Sequence, residues 1–188
     1  MIKKIIMKVI LLVCVVPVIL ELILIENIGE KDMSYFSTSR NIELSIIYYL
    51  ETQINDNWTG ITVTKGFTQA YEKTLPVVCV SLYNTMPERQ EVGSDTLVKD
   101  YGITVDVFAT SDGQRIDLAD FIVDKLKDGC VFYIHSHATG DPSTLARTAD
   151  GRIRVLAFDG DRKIEFSGGS TETFDKFRHK ITISVRNS

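Results

Sequence analysis

The sequence predicts one α+β domain: a mixed, mainly antiparallel sheet with two helices packed on one face, plus an apolar N-terminal helix. Three observations carry this. Two segments have helical spacing of apolar residues, at 41–55 and 114–127. Several short segments alternate or run apolar as strands do, and most lie next to one another in the chain. Regular strand–helix alternation, which a doubly wound parallel fold needs, is missing.

The chain has 188 residues, 44% hydrophobic and 24% charged, which suits one ordinary globular domain with a real core. A formal net charge of -4 argues against a dedicated nucleic-acid binder, which needs a concentrated positive field. Cys14, Cys79 and Cys130 are too widely spaced for a zinc knuckle or a CxxC redox pair. Cys79 and Cys130 sit in apolar runs and read as buried, inert thiols.

Residues 1–32 stand apart from a domain at 33–188. Lys3, Lys4 and Lys8 precede an apolar run from Val9 to Leu20, and after Glu21 the run resumes over Leu22–Ile25. A spanning helix wants about 20 apolar residues, so 1–28 is borderline as an anchor. As a signal peptide it has no small-x-small cleavage site. Three readings fit it: a membrane anchor or signal, a non-native or upstream extension before Met33, and a helix packed in an assembly. Residues 1–32 carry Lys3, Lys4, Lys8 and Lys31 against Glu21, Glu26, Glu30 and Asp32, so the net charge of -4 belongs to the rest.

The first helix is predicted over 41–55 from Ile46, Ile47, Leu50 and Ile54. Ser39 or Asn41 would cap it, with Glu43 in its first turn. Ile61–Thr64 reads as a short strand, and Val77–Leu82 as a buried one. The polar stretch 83–100 reads as a long loop. From Tyr101 to Ala109 alternation is strict, with Ile103, Val105 and Val107 on one face and Thr104, Asp106 and Phe108 on the other: a half-buried strand. Ser111-Asp112-Gly113 opens the second helix, over 114–127, which Gly129 ends. Val131–Ile134 is a strand, and 136–150 a second polar loop. Strand residues at 153–158 lead to a hairpin turn at Asp159-Gly160-Asp161, and Ile164 and Phe166 continue on the return strand. The final strand places Phe177, His179, Ile181, Ile183 and Val185 on one face and Arg178, Lys180, Thr182, Ser184 and Arg186 on the other.

Chemistry-bearing motifs are sparse. There is no phosphate loop, dinucleotide fingerprint, HExxH or nucleophile elbow. No cofactor, metal site or catalytic set is expected, and the chain is read as a non-enzyme. His135-Ser136-His137 puts two imidazoles on one face of an extended segment, but a metal would need a third ligand such as Asp141 or His179. Asp161-Arg162-Lys163 matches half of a metal-dependent nuclease motif, yet it falls in the expected turn, where charged residues are solvated. Arg152, Arg154, Arg178, Lys180 and Arg186 form a candidate basic patch with Arg162 and Lys163, facing an acidic partner or DNA without reading a specific nucleic-acid sequence. The sequon Asn57-Trp58-Thr59 matters only in an exported chain.

One stretch carries a resemblance. Pro76–Leu82 leads into the charged Pro87-Glu88-Arg89-Gln90-Glu91-Val92-Gly93. The strand Tyr101–Ala109 follows, and Ser111-Asp112-Gly113-Gln114-Arg115-Ile116-Asp117-Leu118-Ala119-Asp120 opens a helix. Over 41–188 this order resembles the tail terminator and neck (tail completion) proteins of tailed bacteriophages. The resemblance implies a virion structural protein that forms a ring, usually a hexamer, at the head-proximal end of the tail. It implies assembly in the host cytoplasm, and as partners further copies of the chain, the tail tube protein and the head–tail connector. Arg89, Glu91, Lys99 and Asp100 are candidate subunit-interface residues on the long segment between the core strands. The apolar 1–32 departs from the family pattern. It supports the rival reading of a membrane-tethered, non-enzymatic binding domain. A metal-dependent nuclease using Asp161 and Lys163 is the third alternative.

Overall fold

The apolar stripe Ile42, Ile46, Leu50 and Ile54 recurs every four residues, so these side chains line one side of a helix. They are fully buried in helix α1 (Thr38–Asn57). The helix starts earlier than the sequence predicts. Ser37 is the cap, its hydroxyl accepting from the Arg40 amide at 3.3 Å. Glu43 is therefore no first-turn surface residue; it lies buried on the flank of the stripe.

The computed structural model describes residues 36–89, 97–138, 141–164 and 174–188. The expected N-terminal helix lies outside them. The chain divides into two units, Phe36–His135 with Arg147–Ser188, and Met1–Tyr35 with Ser136–Ala146. Of the second unit only 136–138 and 141–146 are described, as extended strand.

The element order is α1, β1 (Thr62–Lys65), α2 (Gly66–Tyr71), β2 (Val77–Arg89), β3 (Leu97–Phe108), α3 (Asp112–Leu126), β4 (Cys130–Ala138), β5 (Asp141–Ile164) and β6 (Arg178–Asn187). These strands form one sheet in the order β1-β2-β3-β6-β5-β4. The β1–β2 pair is parallel; β2–β3, β3–β6 and β5–β6 are antiparallel.

Pairing of Val78 with Val107 and of Val105 with Ile181 defines one face of the sheet. There the main core gathers Val78, Val80, Ile103, Val105, Ile181 and Ile183 under α1 and α3. α3 has the predicted start: the Ser111 hydroxyl accepts from the Gln114 amide, while the Gln114 side chain accepts from Thr110. It ends at Leu126, just ahead of the predicted glycine. Gly129 has φ 72°, and a Cβ there would sit 2.1 Å from the Ile153 carbonyl oxygen.

Several expectations are corrected. Residues 83–100 are not a loop around a hairpin: β2 runs on to Arg89 and β3 starts at Leu97. Much of 136–150 is likewise strand, and Asp159-Gly160-Asp161 lies inside β5, where register shifts replace the predicted turn. The strand 101–109 is not half-buried. Its second face, with Asp106 and Phe108, is covered too. The cause is α2, unpredicted, which packs Phe67 and Ala70 against Val77, Cys79 and Phe108 on the opposite side of the sheet. Among the described residues, two helices thus lie on one face and a third, short one on the other.

Three buried polar side chains of α1 reach strand backbone. Ser45 Oγ accepts from the Tyr133 amide at 2.9 Å and donates to the Asn41 carbonyl at 2.6 Å. Asn41 Oδ1 accepts from the His135 amide at 3.1 Å. Glu43 Oε1 accepts from the Leu82 amide at 3.1 Å, beside a bulge in β2, and its other oxygen meets Lys65 Nζ at 2.7 Å. Replacing Ser45 with Ala strands the Tyr133 amide without a partner. We expect a loss of about 1–3 kcal/mol, measured by denaturant unfolding with the m-value unchanged. A loss under a few tenths would show that the edge does not rely on this bond.

Candidate functional site

The face of the sheet opposite α1 and α3 has two parts. Near α2 it is closed by an aromatic group: Phe67 meets Phe108 at 5.8 Å, and Phe174 meets Phe108 at 5.1 Å and Tyr71 at 4.7 Å. Arg178 lies over the Phe67 ring at 4.4 Å. Its guanidinium also donates to Asp106 Oδ1 from Nε at 3.0 Å and Nη2 at 2.9 Å. Asp106 is 0% exposed, and burial raises its pKa above the usual carboxylate value, against the opposing pull of Arg178. This pair is structural: it ties β3 to β6 beneath the aromatic group.

Further along, the same face is open among the described residues. Strand register sets its lining. Asp100 and Gly102 on β3 pair with Arg186 and Ser184 on β6, and Met86 on β2 pairs with Asp100. Tyr83, the bulge residue, lies over Gly102; a Cβ on that glycine would fall 2.6 Å from the Tyr83 ring. Tyr83 is 54% and Met86 41% exposed. Across β5 and β6, Arg154 stands opposite Arg186 and Arg162 opposite Lys180. Like charges directly opposite repel. Arg186 is held by a two-point bond to Asp100, Nε to Oδ1 at 2.6 Å and Nη2 to Oδ2 at 2.9 Å. No ion pair reaches Arg154 or Arg162 from the described residues.

The expected basic patch is thereby divided. Arg154, Lys180 and Arg186 share this surface with Arg162. Arg178 is committed to Asp106. Arg152 donates to the Asp128 carbonyl at 2.7 Å. Of the interface candidates, Lys99 is exposed opposite Pro87 and Asp100 is engaged by Arg186; Arg89 is placed as backbone opposite Leu97, and Glu91 lies outside the described residues.

The weaker motifs are taken up locally. Asp161 meets His179, and Arg115 Nη1 approaches His179 Nδ1 at 2.7 Å. A guanidinium can only donate, so Nδ1 accepts and the ring proton sits on Nε2, directed at Asp161. Lys163 lies 3.9 Å from Asp112. Among the described residues no group of three His, Cys, Asp or Glu side chains converges on a point. His135 is 2% exposed, with Nδ1 unpartnered among the described residues. The side chains of His137 and Asp141 are outside the description. Cys79 and Cys130 are buried as expected, and burial pushes their thiols up to about 11 and about 12. Trp58 packs edge-on against Phe121 at 6.0 Å, as a core aromatic.

A cavity of about 380 Å³ opens between α1 and β4, beside Tyr48, Thr52, Tyr133 and Arg152. Three of its polar side chains are bonded to backbone: Tyr49 Oη donates to the Lys125 carbonyl at 2.9 Å, Thr52 Oγ1 to the Tyr48 carbonyl at 2.9 Å and Arg152 to the Asp128 carbonyl, while Arg147 covers the Tyr48 ring at 3.6 Å. No described helix is long and apolar enough to cross a membrane, and the proposed anchor at 1–28 lies outside the described residues.

The sequence left three features of this surface unread: the Asp106–Arg178 pair, Tyr83 and Met86. The available signal was the alternation of 101–109 continuing backward through Gly102, Asp100 and Val98.

No protein family matches the chain, and no curated protein matches it in sequence. Among solved structures, one similar chain comes from the virion of a native gene transfer agent (GTA) particle, with a TM-score of 0.43 and 11% identity, covering 81% of this chain and 96% of that one.

Burial lowers the His135 pKa below its ordinary value, with Arg147 and Arg40 adding to the effect. Above about pH 6.5 both folded and unfolded chains hold a neutral ring. Below it the unfolded chain takes up a proton that the folded chain refuses, so stability is lost as the pH drops. Between pH 7 and pH 5 the parent chain should lose more unfolding free energy than His135→Gln, read from denaturant melts at each pH. Equal slopes would mean that His135 is protonated freely in the fold.

Proposed function

We propose that the chain is a virion structural subunit that closes into a ring at the head-proximal end of a phage tail, ends the tail tube and docks the connector. The observation carrying this is the order of elements through the stretch that resembles the tail terminator and neck proteins. An opening helix, α1, precedes two core strands, β2 and β3. Their polar ends run past the core as a paired arm over 84–89 and 97–100, and a short turn then leads into the packed helix α3. The mechanism is geometric. A ring needs one surface that fits a different surface on the next copy, and the arm and open sheet face offer area that the described residues do not cover. The candidate contacts on the arm are Arg89, Glu91, Lys99 and Asp100.

The test is the solution mass of the full chain by light scattering, alone and with purified tail tubes. A discrete ring-sized oligomer, or a monomer that gathers on tube ends and halts their growth, is expected. A monomer that ignores tubes would overturn the proposal. If that monomer also sediments with lipid vesicles, the membrane-tethered reading takes its place.

A further inference from the structure

The open part of the sheet carries cations that have no ion pair among the described residues. Arg162 and Lys180 face each other across β5 and β6, and Arg154 sits opposite Arg186. Asp100 answers Arg186 and Asp106 answers Arg178, leaving Arg154 and Arg162 with no ion pair from the described residues. Tyr83 and Met86 add exposed apolar area on the same face.

The helix side has the opposite character. α3 buries Leu118, Ala119, Ile122 and Leu126. Its outer side presents Asp117, Asp120 and Asp124, three and four residues apart and all exposed. Asp124 is paired with Lys127. Asp117 and Asp120 have no ion pair among the described residues, and Ile116 stands exposed beside them.

These two surfaces lie on opposite sides of one sheet, because α3 covers the face of Val105 and Ile181 while the cations share the face of Asp100 and Ser184. They cannot meet within a chain. Between two chains they match in charge, and each brings an apolar neighbour. A contact of two unlike surfaces passes from copy to copy in one direction, and it closes when the rotation allows.

We propose that the open sheet face, through Arg154, Arg162 and Lys180, docks the outer side of α3 of a second copy at Asp117 and Asp120. This rests on the ring reading above and names its subunit contact.

The experiment compares four forms of the full chain by light scattering: the parent, Asp117→Lys with Asp120→Lys, Arg162→Glu with Lys180→Glu, and all four changes together. All these positions lie at the surface or its margin, and circular dichroism melts verify each fold. Each pair of changes alone puts like charges in contact and should reduce the oligomer to monomer. The fourfold variant restores opposite signs and should reassemble. An equimolar mixture of the two double variants should do so too, which removes dependence on the fourfold chain folding. High salt should weaken the parent assembly. If the parent assembles and either double variant keeps its mass, this contact is wrong while the ring stands. Loss without rescue in the fourfold variant and the mixture also overturns it. If the parent never assembles, with or without tubes, the ring reading itself fails. If the Arg162→Glu, Lys180→Glu pair abolishes binding to duplex DNA and leaves the mass unchanged, the face serves nucleic acid and the proposal falls.

Discussion

Helix α1 is bonded to two strands at once, and the rest of the fold depends on that. A helix turns about 100° per residue. Asn41 and Ser45 therefore lie on one flank of the stripe Ile42–Ile46–Leu50, and Glu43 lies on the other. Asn41 and Ser45 satisfy the His135 and Tyr133 amides of β4, the last strand in the order. Glu43 satisfies the Leu82 amide of β2, the second. An amide buried beneath a helix with no acceptor would cost about 1–3 kcal/mol. The three side chains remove that penalty at places where no neighbouring strand supplies a carbonyl. They also hide part of an edge that would otherwise pair with other chains.

With that side of the sheet filled by α1 and α3, the opposite side is left for other uses. A short helix and a group of aromatic rings close one end, with Asp106 buried beneath and Arg178 half-buried against it. Removing one partner of such a pair leaves a lone charge in poor solvent, which typically costs about 3–5 kcal/mol. That end is committed to stability. The other end keeps its cations, Tyr83 and Met86 in the open, and the polar ends of β2 and β3 continue beyond it.

The sequence displayed the elements that bury apolar side chains. The four-residue stripe gave α1, Ser111 and Gly129 bounded α3, and the alternation through Ile181, Ile183 and Val185 gave β6 with both faces assigned as they stand. It hid the elements held by backbone bonds. Residues 84–89, 97–100 and 141–152 are strand although most of their side chains are polar and their few apolar ones keep no period. Asp159-Gly160-Asp161 carries turn composition yet remains in a strand, because the ladder to β6 absorbs it as a register shift. α2 is six residues long, with too few apolar positions to show a period. The basic patch was legible as a list of residues. Its division was not, because Asp106 and Asp100 are brought to Arg178 and Arg186 by strand pairing from far along the chain. Glu43 looked like a favourable charge near a helix start and is a buried acceptor.

Amide hydrogen exchange on the full chain, read at Leu82, Tyr133 and His135, tests most directly whether α1 holds both strands. If α1 supplies their acceptors, these amides exchange only through global unfolding, at the protection of Val105 and Ile183 in the sheet centre. Exchange at the rate of a fraying edge, with the centre still protected, would show that the helix does not hold those strands and would contradict the account.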